Sequence, residues 1–377
     1  MPVAVGEERE MSNAETRTIW VFTIFIIAVG LIALYSATYE NVRVTRQVFF
    51  DQLIWSLMAL GVMFILSRVS YRFFYDSAYV IYGLSVVLLL AVLFSGRSAL
   101  GATRWFNMGF FSFQPSELSK LAVIVMLARY FSSSNERFSF SVRGAMRAAC
   151  QDLLFPFILV LISFALIFKQ PDLGTALLVL GIFIVMVYAS GEEMRPFGIF
   201  LGACTALVPV GWHFLKDYQR DRILVFMNPN ADPLGAGYTI IQSRIAVGSG
   251  QMFGKGWLAG TQNQLNFLPE RHTDFIFSVI GEEWGFLGAV FLLVCYFMLI
   301  WTGLQIAERV KDRFGHMMAI GVVSILALQV VINISMTIGL SPVVGITLPL
   351  ISYGRTSFMV FAVLIGILLN LSSKRSA

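Results

Sequence analysis

EEWGFLGAVFLLVCYFMLIWTG, residues 282–303, decides the class of fold. After its two glutamates, the stretch contains no Lys, Arg, Asp or Glu, and it is long enough to cross a hydrocarbon core about 30 Å thick. Similar runs recur along the 377 residues, and the mean hydropathy of the chain is +0.77. Because lipid offers no water to an open backbone, these runs predict membrane-spanning helices.

Ten spans are predicted from the apolar runs that lie between polar breaks. They cover residues 18–37, 48–67, 77–95, 116–133, 152–169, 173–190, 196–215, 282–303, 316–338 and 355–372. We therefore expect an all-α polytopic membrane protein that forms one domain, residues 1–377, and begins with a polar tail, residues 1–17.

The basic residues predict which way the chain crosses the membrane. With the N-terminus in the cytoplasm, fourteen Lys and Arg residues lie at cytoplasmic ends and seven lie in the opposite short segments. Since short cytoplasmic loops carry the excess of positive charge, both termini are expected inside. The long segment 216–281, between spans seven and eight, is then extracytoplasmic. A loop of this length is uncommon without a purpose, so we expect it to pack back onto the helices as a lid or re-entrant region.

Several classes of site are not supported by the sequence. The three cysteines have neither CxxC nor Cys/His spacing, so no metal ligands are assigned. The segment GSGQMFGKG, residues 248–256, departs from a nucleotide-binding P-loop at two positions. Its backbone amides could still bind a phosphate, or it could be a flexible loop. The net charge of +5 is explained by membrane orientation, without nucleic acid as a partner.

Four polar segments interrupt the apolar pattern, and all four lie on the predicted outer side. They are residues 101–120, 169–179, 268–283 and 341–357. Independent capping turns would have no reason to concentrate on one side, whereas a shared outward-facing cavity would. We therefore expect these segments to converge in space.

Several charged residues in these segments also have a simpler structural interpretation. Glu117 and Lys120, three residues apart, could form an interfacial ion pair on one helix face. Asp172 is typical of a helix N-cap, and Asp274 could complement a helix dipole from the first turn. Adjacent residues on a helix point about 100° apart, so only one glutamate of the 282–283 pair can face a cavity, and Glu282 is the better candidate.

The motifs FQPSELSK (113–120), KQPDLGTALL (169–178), LPERHTDFIFSVIGEEWGFLG (268–288) and PLISYG (349–354) resemble those of the SEDS family. These are the proteins of shape, elongation, division and sporulation. The resemblance runs through nearly the whole chain. Residues 226–250 and 254–277 resemble the elongation members of the family more than the division members.

The resemblance implies a peptidoglycan glycosyltransferase that polymerises lipid II at the outer face of the bacterial cytoplasmic membrane. It also implies a class B penicillin-binding protein as transpeptidase partner, together with other elongation-machinery proteins. The essential aspartate of the family corresponds to Asp274. Together with the polar segments, the resemblance predicts the following substrate-binding residues: Arg104, Gln114, Ser116, Glu117, Lys120, Asp172, Thr273, Glu282 and Ser352.

The implied reaction converts an α-linked donor into a β-linked polymer, so it needs one displacement by a sugar hydroxyl. A positioned carboxylate that accepts the hydroxyl proton is the minimum requirement. The diphosphate leaves without an acid if Lys120, Arg104 or a divalent cation, Mg²⁺ or Mn²⁺, balances its charge. A flippase for the lipid-linked precursor, or a non-catalytic scaffold for the transpeptidase, remains an alternative. Most spans are free of charge at mid-depth, which favours surface catalysis over a transport path.

Overall fold

The computed structural model describes residues 2–39, 42–99, 102–107, 109, 112–133, 142–191, 198, 202, 213, 217–233, 235 and 237–373. A short 3-10 turn covers Pro229–Ala231. The helices of these residues are α1 (Pro2–Thr38), α2 (Val42–Leu66), α3 (Arg72–Ser95), α4 (Pro115–Ser133), α5 (Val142–Lys169), α6 (Leu173–Ala189), α7 (Asp217–Met227), α8 (Tyr238–Ser249), α9 (Thr261–Gln264), α10 (Ile276–Arg309), α11 (Arg313–Thr337) and α12 (Arg355–Ser373).

The multi-pass membrane fold is confirmed. Among the described residues, six helices are long and apolar enough to cross a bilayer, namely α1, α2, α3, α10, α11 and α12. Shorter apolar helices, Leu153–Lys169 and α6, coincide with two more predicted spans. The predicted span 116–133 is α4, whose charged residues lower its hydropathy. The predicted span 196–215 lies almost entirely outside the described residues.

Two predicted boundaries differ from the structure. Helix α1 begins at Pro2, so the polar tail predicted at residues 1–17 continues the first helix. Helix α10 begins at Ile276, six residues before the predicted span 282–303. In the first case nothing in the polar tail breaks the helix. In the second, the short apolar run 276–280 precedes two glutamates, so hydropathy did not join it to the long span.

A small antiparallel sheet between α3 and α4 was not expected in an all-helical fold. Its strands are β1 (Arg97–Ala99), β2 (Ala102–Asn107) and β3 (Ser112–Phe113), in the order β1-β2-β3. Strands of two to six residues leave little alternating pattern to detect. The sheet leads directly into Pro115, the first residue of α4, and thus fixes how the chain enters the bundle.

Helices α4, α11 and α12 form the centre of the bundle. Nearly every residue of α4 from Pro115 to Ala128 is buried, and most of α11 and α12 is buried as well. Helix α3 packs on α4, α2 packs on α12, and α10 packs between α1 and α11. The outer helices expose large apolar side chains, as a lipid-facing surface requires.

The long segment 216–281 packs back onto the helices, as predicted. Helix α8 lies against α10 and α11. The Ser243 hydroxyl lies 2.7 Å from the Ser278 hydroxyl of α10 and donates to the Thr337 carbonyl of α11 at 2.5 Å. This part of the chain is therefore joined to the bundle through buried polar contacts.

Helix α10 is broken at Gly285, whose φ of 67° and ψ of −163° are not helical. The turn formed by residues 250–256 docks into the break through its backbone. The amides of Lys255 and Gly256 donate to the carbonyls of Glu282 and Glu283, each at 3.0 Å. In return, the amides of residues 286 and 287 donate to the carbonyls of residues 251 and 252, at 2.8 and 3.1 Å.

Glycine is required where the turn meets the break. Gly254 has a φ of 80°, and a Cβ at this position would collide with the Glu283 carbonyl. We expect Gly254→Ala to lower the unfolding temperature (Tm) in detergent, with a free-energy cost of about 3 kcal/mol. Gly248 is the control, because a Cβ there meets nothing within 4 Å and the position is helical. Gly248→Ala should leave Tm unchanged or raise it. Equal Tm values for the two variants would contradict this account of the break.

Candidate functional site

The four polar segments identified in the sequence contact one another. The Gln114 side chain of the first segment donates to Asp172 of the second at 3.2 Å. Ser352 of the fourth segment donates to the Thr273 carbonyl of the third at 2.5 Å. The first and fourth segments meet where the Gln114 amide donates to the Thr356 hydroxyl at 3.3 Å. The predicted convergence is therefore present in the structure.

Asp274 lies just before α10, in a turn that is fixed on both sides. Its amide donates to the Glu270 carbonyl at 3.1 Å, and its carbonyl accepts from the side-chain amide of Asn333 at 2.9 Å. The carboxylate lies over Gly345, where a Cβ would be 3.3 Å from Oδ2. Gly345 has a φ of 70°, so glycine suits both its conformation and this close approach. Asp274 as a whole residue is half-buried.

Asn333 of α11 joins the two irregular segments that meet at Asp274. It is fully buried, and its nitrogen also donates to the Ile346 carbonyl at 2.6 Å. The segment 341–350 is thereby held beside the aspartate. A buried amide that donates twice makes separation of these segments costly, since the carbonyls would lose their partners away from water.

A second set of hydrogen bonds holds residues 272–273 from the other side. The Ser352 hydroxyl donates to the Thr273 carbonyl and accepts from the Leu348 amide at 2.8 Å. The Tyr353 amide donates to the His272 carbonyl at 2.9 Å. Ser352 is buried and was predicted to bind substrate, but both contacts of its hydroxyl are to backbone groups. It positions residues 271–274, here called the aspartate loop.

Burial and the surrounding charges together shift the pKa of Asp274. The pKa of its carboxyl is raised from 3.8 to about 6, mainly by burial and then by the neighbouring Glu270 carboxylate. Arg222 opposes this shift, Asp172 adds to it, and Arg104 opposes it more weakly. At neutral pH the carboxylate is mostly charged, and it is a stronger base than an ordinary aspartate.

His272 adds no charge to the site at neutral pH. Burial lowers the pKa of its imidazole; the neighbouring Glu270 opposes this effect, whereas Arg271 adds to it. Arg271 is half-buried and is fixed by backbone contacts. Its guanidinium donates to the carbonyls of Ala37 and Asn263 at 2.6 and 2.5 Å. It thus ties the aspartate loop to the end of α1.

The Asp172 carboxylate caps helix α6 and also contacts polar side chains of the site. One carboxylate oxygen accepts from the Thr175 amide at 3.3 Å, which is the N-cap arrangement expected for α6. The other oxygen accepts from Gln114 and Ser116, both at 3.2 Å. Nearby, Arg104 of β2 donates to the Gln170 carbonyl at 2.9 Å and to the Pro171 carbonyl. Arg104 thus binds the turn before α6.

Glu117 and Lys120 form a buried ion pair at 2.8 Å, with 7% and 1% of their surfaces exposed. An interfacial pair with a snorkelling lysine was the simpler expectation, and it is wrong. Lys120 also donates to Gln329 of α11 at 3.1 Å, and Gln329 donates to the Thr347 carbonyl at 2.9 Å. The pair therefore connects α4 to the segment beside Asp274. Neither side chain is open to a substrate in this conformation.

Glu282 does not belong to the site, so its predicted contact with substrate needs correction. Its carboxylate is fully buried and pairs with Lys255 at 2.8 Å. It also accepts from the Gln262 and Asn263 amides at 3.0 and 3.3 Å and from Thr261 at 3.2 Å. Its acceptor positions are therefore used within the protein.

Glu283 and the glycine-rich turn 248–256 also form hydrogen bonds within the protein. Glu283 accepts from Ser36 of α1 at 2.5 Å and from Asn263 at 3.4 Å. The Lys255 and Gly256 amides donate to carbonyls at the α10 break, so these two amides do not form a phosphate cradle. The segment 248–256 is a docked structural turn.

Several residues of the site could not be assigned a role from the sequence. They are Asn333, Gln329, Gly345, Glu270 and Arg222. The two amides carried a usable signal, because polar side chains four residues apart in an apolar span share one helix face and are rare in lipid. The other three gave no such signal, since their positions depend on long-range folding.

The described residues do not fit a metal ion held by the protein alone. Among them, no three His, Cys, Asp or Glu side chains are grouped as a metal site requires. A divalent cation that is bound together with a substrate diphosphate needs fewer protein ligands. Such a cation is therefore a separate question from a metal held by the protein alone.

A family model described as "Cell cycle protein" (FtsW, RodA and SpoVE) matches residues 16–377. The peptidoglycan glycosyltransferase MrdB of Escherichia coli K12 is 41% identical over 319 residues, covering 84% of each chain. A chain solved in a peptidoglycan synthase complex is 33% identical, with a TM-score of 0.78 over 94% of this chain and 96% of that one. The solved rod shape determining protein RodA of Thermus thermophilus is 29% identical, with a TM-score of 0.69 over 95% and 97%.

The raised pKa of Asp274 predicts how stability changes with pH. The charged carboxylate is disfavoured in the folded state, so the penalty exists above pH 6 and disappears below the ordinary value of 3.8. We expect Asp274→Asn to raise Tm at pH 8, and the gain over the original chain to shrink as pH falls through 6. Glu308→Gln, at an exposed position on the far end of α10, is the control and should give no such trend. A Tm difference independent of pH would contradict the shift.

Proposed function

The chain belongs to the FtsW/RodA/SpoVE family of cell cycle proteins, and on that premise we propose that it is a peptidoglycan glycosyltransferase. The family match confirms the resemblance inferred from its motifs. The enzyme polymerises lipid II into glycan strands, and Asp274 is its general base. The observation that carries the mechanism is a half-buried aspartate, held through its backbone and with a pKa of about 6, at the meeting point of four polar segments.

The chemistry follows from the bond that changes. The acceptor sugar hydroxyl attacks the anomeric carbon of the donor, and its proton passes to the Asp274 carboxylate. The new glycosidic C–O bond forms as the bond to the diphosphate oxygen breaks, and the lipid diphosphate leaves with that electron pair. A base with a pKa near the working pH accepts the proton without being protonated beforehand.

The leaving diphosphate needs positive charge more than it needs a proton. Arg104 and Arg222 are both close enough to lower the pKa of Asp274, so their field reaches the reacting centre. Lys120 is buried and paired, so we assign it to positioning through Gln329. In this proposal, a divalent cation binds only together with the substrate diphosphate.

Orientation and partner follow from the same premise. The excess of basic residues at one set of helix ends supports cytoplasmic termini, with the Asp274 side facing outward. The reaction then takes place at the outer face of the cytoplasmic membrane. One solved relative belongs to a synthase complex that couples polymerization to crosslinking, which supports a class B penicillin-binding protein as partner. Relatives named for rod shape support a role in cell elongation with other proteins of that machinery.

Polymerisation of labelled lipid II by the purified protein, with and without a class B penicillin-binding protein, tests the proposal. We expect glycan strands from the original chain and a loss of about 1,000-fold or more with Asp274→Asn, since the base is absent. The variant must retain its fold, as judged by Tm. Strands that persist with Asp274→Asn would move the base elsewhere. No strands from the original chain, with partner and divalent cation present, would favour the flippase or scaffold alternatives.

The acidic limb of the pH–rate profile should report the carboxylate of Asp274. Activity is expected to fall as pH decreases through about 6, because the protonated acid cannot accept a proton. Glu270→Gln removes a negative neighbour and should move the limb to lower pH. Arg222→Gln removes a positive neighbour and should move it to higher pH. Shifts of both limbs in the same direction would contradict the electrostatic assignment.

Asn333→Ala should lower kcat by about 10- to 100-fold, because the aspartate loses its tether to α11. Asn370 offers a matched control. It is buried and donates from one nitrogen to two carbonyls, those of Ser67 and Val69, at 2.9 and 2.6 Å. Asn370→Ala should lower Tm by a similar amount and leave kcat of the folded protein unchanged. Equal losses of kcat in the two variants would assign Asn333 to general stability alone.

A further inference from the structure

We propose that residues 251–257 form a shallow membrane-embedded turn, here called the apolar turn, whose partner is the lipid of the leaflet on the Asp274 side. Its side chains are unusually exposed for apolar residues. Met252, Phe253 and Trp257 are 51%, 80% and 53% exposed. An apolar patch of this kind outside a helix marks a surface that another apolar phase covers.

The apolar turn continues the lipid-facing surface of α10. Its backbone is bonded to residues 286 and 287, at the start of the unbroken part of that helix. Phe286 and Leu287 are themselves 59% and 48% exposed, and Phe291 on the next turn of the helix is exposed as well. A helix that crosses the bilayer therefore presents one continuous apolar surface with the turn at its end.

Aromatic rings surround Trp257, which indicates that the apolar turn lies at a membrane boundary. Trp257 lies 5.9 Å from Tyr35, between ring centroids, in the last turn of α1. Tyr35 also contacts Tyr39, just after α1, and Phe49 of α2. Trp and Tyr are enriched where hydrocarbon meets headgroups, which favours lipid over a protein partner as the phase that covers this surface.

Several backbone groups of the apolar turn form hydrogen bonds within the protein, as contact with lipid requires. The amides of Gly254, Lys255 and Gly256 donate within the protein, and the carbonyls of Gln251 and Met252 accept. Its one charged residue, Lys255, pairs with the buried Glu282. With these backbone groups bonded and its charge paired, the turn brings fewer unsatisfied polar groups into the interface.

The apolar turn is connected rigidly to the aspartate loop. It docks at the break of α10, and the helical stretch from Ile276 to Trp284 leads back to Asp274. Its depth in the leaflet thus sets the height of the carboxylate above the hydrocarbon. If the proposed function holds, this fixes the level at which Asp274 meets a lipid-borne diphosphate.

The depth of the turn can be measured in vesicles without enzymatic activity. An environment-sensitive fluorophore is attached to Phe253→Cys in a chain with Cys150→Ala and Cys204→Ala; the remaining Cys295 is buried. The protein is reconstituted in phosphatidylethanolamine and phosphatidylglycerol that carry spin labels near either end of the acyl chain. Phe291→Cys and Asp221→Cys are the controls for lipid and for water.

We expect the Phe253 label to be quenched most strongly by spin labels near the glycerol end and to be protected from aqueous iodide. Behaviour like that of the Asp221 label would overturn the proposal. Protection that appears only when a class B penicillin-binding protein is reconstituted alongside would also overturn it, because the surface would then belong to a protein. Each outcome holds whether or not the chain polymerises lipid II.

The depth-setting consequence has its own test. Phe253→Asp should lower polymerisation at least about fivefold in vesicles and leave the rate in detergent unchanged, since only the bilayer defines a depth. Phe253→Leu, which stays apolar, should match the original chain in both media. An equal loss in vesicles and in detergent would overturn the depth-setting role. If the original chain makes no polymer, the proposed function fails and the quenching result still stands.

Discussion

The hydrogen bonds of Asn333 hold together the part of the molecule on which its chemistry depends. One side-chain nitrogen reaches the carbonyls of Asp274 and Ile346, and so joins two irregular segments to the centre of a helical bundle. Irregular backbone in a membrane protein survives only where buried protein groups or water satisfy it. Asp274, the proposed general base, can therefore lie outside regular structure and still be held in place, because a buried helix supplies its hydrogen-bond partner.

The same constraint explains why so few of the predicted substrate contacts are free side chains. Ser352, Glu282 and Lys120 all lie among the conspicuous polar motifs, yet each is committed to a protein partner. Polar residues in an apolar chain have two uses. They contact substrate, or they hold in place the backbone that contacts substrate. Most of them here serve the second use, and they hold in place the backbone that carries Asp274.

The helices and the convergence of the polar segments could be predicted from the sequence, because both follow from local patterns. Apolar runs report what lipid covers, and the polar motifs between them lie on one side. The break at Gly285 could not be predicted, since it depends on a turn some thirty residues earlier that needs glycine at 254. The role of Asn333 was equally hidden. A sequence reports that an amide lies in a span, but not which two carbonyls fold against it.

The buried Glu117–Lys120 pair has a consequence for how the protein is made. Helix α4 carries these charges into the bundle centre, and it is not among the six strongly apolar helices. Its partner Gln329 is encoded 209 residues later, which corresponds to roughly 10–40 s of synthesis at usual rates. During that interval the newborn helix has no α11 to receive its lysine. Lys120 can pair with Glu117 of its own helix from the start, but the contact with Gln329 that fixes α4 in the bundle can form only when the chain is nearly complete.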